Sequence, residues 1–277
     1  MKIVITGAGG QLGQAMARDL AGRHHVTALA RADLDVSRED DVLRVMGTLR
    51  PEAIVNCAAY NAVDRAEDDV LAALEGNAFA VQALARAAAR VGAAFVHFST
   101  DFVFDGEADQ PYREDAPVSP LSVYGQSKLL GEWFTREAPR CYVLRVESLF
   151  GGPLPRSSID RIAEAIRAGQ ETRVFEDRVV SPSFVEDVVT ATEALLAGGI
   201  AGGVYHCVNS GHATWHAVAQ EIAAVLGLQP RLAPVRLADV VMRARRPRFC
   251  ALSNAKLAGA GIPMPSWQDA LRRHLSA

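Results

Sequence analysis

The chain has 277 residues, 49% of them hydrophobic, with 29 Lys and Arg against 32 Asp and Glu and a formal net charge of −3. A chain of this length has ample core, burying about three quarters of the surface exposed when unfolded. The balanced charge, with lysine only at Lys2, Lys128 and Lys256, argues against nucleic acid or an anionic membrane as a bulk partner, and no apolar run reaches the ~20 residues needed to cross a bilayer.

No Gly/Ser/Pro-rich linker, charge block or internal repeat divides the sequence, which reads as one compact body with two lobes. The N-terminus opens directly on a strand pattern without a charged leader. Cys57, Cys141, Cys207 and Cys250 are scattered without CxxC spacing. The expectation is a cytoplasmic protein with reduced, structural thiols.

Lys2–Thr6 is a short β-rich run followed by Gly7-Ala8-Gly9-Gly10-Gln11-Leu12-Gly13 and a helical pattern through Leu20. A strand, a glycine turn and a helix in that order point backbone N–H groups and the helix dipole at a pyrophosphate, so Gly7 and Gly10 are candidate dinucleotide ligands. The spacing is GxxGxxG, and a merely tight turn is the alternative. The next strand, His25–Ala30, ends at Arg31, where an NAD-specific enzyme would carry an acid. Arg31 suits a 2′-phosphate and so NADPH, with NADH not excluded; a solvated strand-end arginine is the other reading. Ser37 has the position of an N-cap for a helix reaching Leu49.

Ala53–Tyr60 has the near-continuous apolar character of a parallel strand buried on both faces. Asp64, Glu67, Asp68 and Asp69 then crowd the start of a long alanine-rich helical stretch to about Arg90, where acids favour the dipole without catalytic duty. The strand through Phe98 ends in Ser99-Thr100-Asp101, placing a hydroxyl where a parallel sheet presents its ligand edge, although a cap or turn would look the same. The segment 104–120 reads as a loop over the site.

Ser122–Lys128 contains Tyr124 and Lys128, which lie one turn apart on one face if the stretch is helical. An ammonium there favours the phenolate and lowers the tyrosine pKa toward working range, a pair fit to protonate a carbonyl. Beyond the strand Cys141–Val146 the pattern changes. The expected division is a dinucleotide-binding domain over 1–148, with 176–208 returning to it, and a mainly substrate-binding lobe over 149–277. His212 and His216 stand four apart without an evident third metal ligand, and the basic run Arg243–Arg248 is either a solvated face or a diphosphate contact.

The segments TGAGGQLG at 6–13, NCAAYNAVDRAE at 56–67, STDFVFDG at 99–106, YGQSK at 124–128, LR at 144–145 and VVSPSFVEDV at 179–188 together resemble the dTDP-4-dehydrorhamnose reductase family of extended short-chain dehydrogenase/reductases. The resemblance spans nearly the whole chain. It implies an α/β fold, a Rossmann doubly wound parallel sheet with a smaller C-terminal α/β substrate lobe, and NADPH-dependent reduction of the 4-keto group of a nucleotide-linked deoxysugar. By position it implies that Thr100, Tyr124 and Lys128 are catalytic, with Tyr124 the proton donor. Gly10, Gln11 and Leu12 would cradle the pyrophosphate, Asp35 and Val36 would meet the adenine, and Ala58, Ala59, Tyr60, Asn61 and Phe98 would line the cofactor.

Asp101, Phe102 and Ser148 fall on the substrate side. Phe102 stands where related dehydratases carry a glutamate, which favours reduction over water elimination. Ser148 replaces a tryptophan usual in the family and puts a different or larger sugar in play. Arg178 replaces a usual glutamine. Ala15 occupies the place of a glutamate that helps some members dimerise through a metal, so no metal-linked dimer is expected, only a monomer or an ordinary homodimer. A non-catalytic NADP-binding regulatory subunit and an epimerase of the same superfamily are the competing readings.

Overall fold

The computed structural model describes residues 1–276. Its centre is a six-stranded parallel sheet of β1 (Lys2–Thr6), β2 (His25–Leu29), β3 (Ala53–Asn56), β4 (Ala94–Thr100), β5 (Cys141–Val146) and β6 (Gly203–His206), in the order β6-β5-β4-β3-β1-β2. Successive strand residues face opposite sides, and here both sides are covered. Ile3, Ile5, Val55, Val96 and Leu144 pack under the helices Gln11–Leu20 and Val185–Ala197. Val4, Ile54 and Phe95 face the helices Glu39–Leu49 and Ala80–Val91. This two-sided burial explains why β3 and β4 are buried throughout and mostly apolar rather than alternating. The chain steps from β1 outward to β2 and then returns to the other side of β1 at β3. That reversal opens a crevice beyond the carboxyl ends of the strands, where open α/β sheets bind ligands.

A second core, built on Phe150, Ile162, Trp215, Ile222 and Trp267, lies in the C-terminal part of the chain. It carries a parallel pair, Glu171–Phe175 with Arg231–Val235, and the helices Ser158–Arg167, Trp215–Leu226 and Trp267–Leu275. The chain enters this lobe through Ser148, which adopts the left-handed region at φ 45°, followed by Gly151 and Gly152, also at positive φ. It comes back to supply Val185–Ala197 and β6 to the main sheet.

Three local expectations are corrected. Ser37 does not cap the second helix: its N–H and hydroxyl both donate to Asp35, and the helix begins at Glu39 after an Arg38 N-cap. The acids at 64–69 do not open one long helix. A short helix at Val63–Ala66 is followed by Val70–Leu74, a π-helical turn at Glu75–Phe79 and then Ala80–Val91. His212 precedes the helix that carries His216, so the two do not share a helix face.

Candidate active site

Two adjoining cavities occupy the crevice. One, of about 530 Å³, is lined by Gly7, Gly10, Arg31, Asp35, Val36, Ala58, Ala59, Tyr60 and Asn61 among others. The second, of about 360 Å³, takes in Gly10, Gln11, Leu12, Ala58, Ala59, Asn61, Phe98, Thr100, Asp101, Phe102, Tyr124, Lys128 and Ser148. Every residue that the resemblance or the glycine turn assigned to catalysis, cofactor or sugar therefore borders one cavity or both.

The glycine turn divides its labour. Gly7 has φ +68°, and a Cβ there would lie 2.4 Å from the Ala58 nitrogen; a Cβ on Gly13 would lie 2.3 Å from the Gly7 carbonyl oxygen. These two let the turn press against β3 and the helix against the turn. Gly10 is the N-cap of Gln11–Leu20, which has neither a side-chain cap nor an acid in its first turn. Its first N–H groups are thus free for an anion, as a dinucleotide pyrophosphate requires. Gln11 is tied to the other lobe, its Nε2 donating to the Gly151 carbonyl at 2.8 Å. Arg31 is almost fully exposed at the far end, 3.8 Å from Asp35.

Tyr124 and Lys128 project from the helix Val123–Phe134, whose N-terminus is fixed twice: Ser122 Oγ accepts from Gly125 N, and Glu67 accepts from Val123 N at 2.9 Å. The same helix is clamped to the cofactor side by Asn77, which sits in the π-helical turn. The Asn77 side chain accepts from Tyr60 N at 2.8 Å and donates to Tyr60 O and to Ser127 Oγ, both at 3.0 Å. Gly131 lets the helices meet, since a Cβ there would stand 2.2 Å from Asn77 O.

Lys128 is buried, donates to the Phe98 carbonyl at 2.5 Å and lies 3.4 Å from His97 Nε2. Burial pulls its pKa down to about 8, with Glu132 opposing. His97 is held neutral by burial and by that ammonium. Tyr124 departs from expectation: burial foremost, then the charge of Asp101, pushes its phenol above 10, while a hydrogen-bonding contact with Thr100 works the other way. Lys128 donates to the Phe98 carbonyl and is not among the groups that shift Tyr124. The phenol is consequently kept protonated, as a proton donor must be.

Thr100 donates to Asp101 at 2.8 Å. Phe102 packs edge-on against Tyr124 with ring centroids 5.5 Å apart, and the Arg178 guanidinium lies 5.7 Å from the Phe102 centroid. Beyond this wall, Asp101, Glu147 and Cys250 bring ligand-type atoms within 4.8 Å of one another, all buried. Arg178 supplies positive charge to that cluster. Its presence disfavours a cation there. Glu147 lines the catalytic cavity, and Arg178 also borders a third cavity of about 310 Å³ in the C-terminal lobe with Arg161, Arg173, Phe175 and Trp215. Glu147, Cys250 and the residues of this third cavity other than Arg178 were not legible as site residues. They come from separate elements and carry no local motif.

The basic run and the acids after β3 explain each other. Arg246 grips Asp64 through both guanidinium ends at 2.9 and 2.7 Å, and Arg243 meets Asp68 at 2.6 Å. Arg243 and Asp68 remain largely solvated, as the face reading expects, whereas Arg246 is mostly covered and bound to Asp64.

Residues 1–277 match the RmlD substrate binding domain family. A dTDP-4-dehydrorhamnose reductase of Burkholderia thailandensis is 35% identical, covering 98% of this chain and 97% of the relative. The chain belongs to the dTDP-4-dehydrorhamnose reductase family. Another family relative, a probable dTDP-4,6-dihydroxy-2-methyloxan-3-one 4-ketoreductase of Streptomyces antibioticus, is 38% identical over 98% of this chain and 94% of its own. The crystal structure of the Bacillus anthracis dTDP-4-dehydrorhamnose reductase in complex with NADP superposes with a TM-score of 0.95 at 29% identity, covering 99% of this chain and 98% of that one. Among the described residues no helix is long and apolar enough to cross a membrane.

Proposed function

We propose that this family member reduces the 4-keto group of a nucleotide-linked deoxysugar with NADPH, dTDP-4-dehydrorhamnose being the first substrate to try. The observation that carries the reading is the meeting of Tyr124, Thr100 and Lys128 in one cavity that continues past Gly10 to Arg31. The uncapped helix N-terminus after Gly10 fits a pyrophosphate, and Arg31 is free to meet a 2′-phosphate. NADPH, when bound, supplies the hydride.

The remaining chemistry belongs to side chains. Tyr124 donates its proton to the carbonyl oxygen, and its raised pKa makes it a reluctant anion until another donor replaces that proton. Lys128, with a pKa of about 8, is the neighbouring group able to hold and return a proton near neutrality. Thr100 shares the polarisation of the oxygen. Asp101, Phe102 and Ser148 lie on the sugar side. Arg161, Arg173 and Trp215 border the cavity best suited to the diphosphate and base. In this division residues 1–148 with 176–208 form the cofactor-binding domain, whose edge also meets the sugar through Asp101, Phe102 and Ser148, and 149–277 is mainly the substrate-binding lobe.

The four free thiols accord with work in the cytoplasm, as a monomer or homodimer. NADPH oxidation with freshly generated dTDP-4-dehydro-L-rhamnose, beside Tyr124→Phe, tests the reading. Turnover should vanish in the variant with NADPH affinity nearly intact; equal loss of binding would show that the phenol holds the cofactor and carries no proton.

A further inference from the structure

Asn56, His97 and Lys128 form a buried chain from the cofactor crevice to the helix Val123–Phe134, each at most 2% exposed. Asn56 Oδ1 accepts from Thr6 Oγ1 at 2.8 Å and from the backbone N–H of Ala58 at 3.1 Å. A backbone N–H can only donate, so the amide atom facing Ala58 is the oxygen and the atom facing His97 is the nitrogen. That nitrogen lies 3.2 Å from His97 Nδ1, and it too can only donate. Nδ1 is therefore an acceptor. Burial foremost, and then the charge of Lys128, keep the ring neutral, so its one proton is on Nε2.

Nε2 lies 3.4 Å from Lys128 Nζ, and among the described residues the ring makes no other polar contact besides Asn56. An ammonium has three donors and no acceptor. A free amine offers a lone pair that Nε2–H can meet, while one of its own N–H groups still bonds the Phe98 carbonyl. We propose that Asn56 and His97 are positioning residues for Lys128: Asn56 fixes the imidazole proton on Nε2, and that N–H, directed at Nζ, favours the amine over the ammonium. The tautomer follows from contacts alone. What it does for catalysis rests on the reductase reading, in which a lysine that sheds and regains a proton near neutrality restores the one Tyr124 gives up.

The surrounding charges leave this contact in control of the lysine's polar partners. Glu132, one turn further along the helix, works against the amine, but both its oxygens are gripped by Arg145 at 2.8 and 2.7 Å. Cys57, Asp101, Tyr124 and Glu147 line the same cavity, and none of them bonds Nζ, whose two contacts are His97 and the Phe98 carbonyl. The lowered pKa of Lys128 agrees with the arrangement.

The test is magnetic resonance of the full chain carrying isotope-labelled histidine and lysine. Lysine occurs only at Lys2, Lys128 and Lys256, so the signal lost in Lys128→Met identifies the buried one. In wild type His97 should show a bare Nδ1 and a protonated Nε2, and Lys128 should titrate near 8. His97→Gln, whose amide oxygen can turn to Nζ, should raise the lysine pKa by about one unit or more, a tenfold gain for the ammonium. Asn56→Asp keeps an acceptor for Ala58 but offers His97 Nδ1 an acceptor in place of a donor. The ring proton should then move to Nδ1 and the lysine pKa should rise, the reversed ring signal separating the tautomer from the added charge. A proton on Nδ1 in wild type, or a lysine pKa within about 0.3 unit of wild type in a folded variant, would overturn the proposal. If neither variant folds, the wild-type spectra decide: Nε2–H with a lysine near 8 supports it, and a lysine at its ordinary 10.5 overturns it. NADPH oxidation is scored separately. Its absence beside the expected ring and lysine signals would sink the reductase reading and leave the roles of Asn56 and His97 standing.

Discussion

Replacing Lys128 by methionine should change how stability depends on pH, in a direction the structure determines. The ammonium is buried, and its pKa falls from 10.5 to about 8, chiefly through desolvation. That gap corresponds to about 3 kcal/mol of unfavourable free energy while the group is charged in both folded and unfolded chains, below pH 8. Between about 8 and 10.5 the folded protein releases the proton and the unfolded chain keeps it, so stability rises with pH; above 10.5 the cost is gone. Methionine reaches to the position of the lysine Cε and carries no charge, so the variant lacks this dependence. Its loss of the bond to the Phe98 carbonyl is a constant offset. Urea denaturation of both proteins from pH ~7 to ~10 should therefore show wild type gaining on the variant by about 2–3 kcal/mol. A difference that stays flat, or falls as pH rises, would show that Lys128 is not desolvated as described and would remove the argument for its holding a proton near neutrality.

Gly131→Ala puts a Cβ 2.2 Å from Asn77 O and should destabilise the fold by about 1–3 kcal/mol, seen as a lowered melting temperature; an unchanged melt would mean the helix crossing is looser than the contact implies. Arg31→Ala should weaken NADPH about tenfold and leave NADH nearly unchanged in fluorescence titration, whereas equal effects would remove the 2′-phosphate argument. Arg246→Ala cuts the bidentate grip on Asp64, which is 46% exposed, so stability should fall by no more than about 1 kcal/mol and the difference should shrink at high salt; a larger, salt-independent loss would mean that packing, not charge, holds that segment.

The parts of the site that the sequence declares are those held by local rules. A strand, a glycine turn and a helix occur within a short span, and Tyr124 and Lys128 are separated by one helical turn, so spacing alone places them. The sugar-side cluster obeys no such rule. Asp101 follows β4, Glu147 follows β5, Arg178 lies between two short strands, and Cys250 comes from near the C-terminus; only the assembled sheet and lobe bring them together. Ser37 misleads because Asp35 captures its hydroxyl, a local competition that pattern reading does not weigh. The acids after β3 look like helix-start residues, and Asp69 is one, but Glu67 caps a helix far along the chain and Asp64 and Asp68 hold arginines from its C-terminal part.

The π-helical turn at Glu75–Phe79 also fixes the angular phase of what precedes it. One residue in an α-helix corresponds to about 100° of rotation. Removing the extra residue would let the helix close regularly while swinging Asp69, Ala72 and Glu75, which line the cavity beside Arg31, by about that angle relative to the Ala80–Val91 anchor. The wall of that cavity is thus set by a count of residues as well as by their identities. A single deletion there would reshape the wall without altering any side chain that lines it.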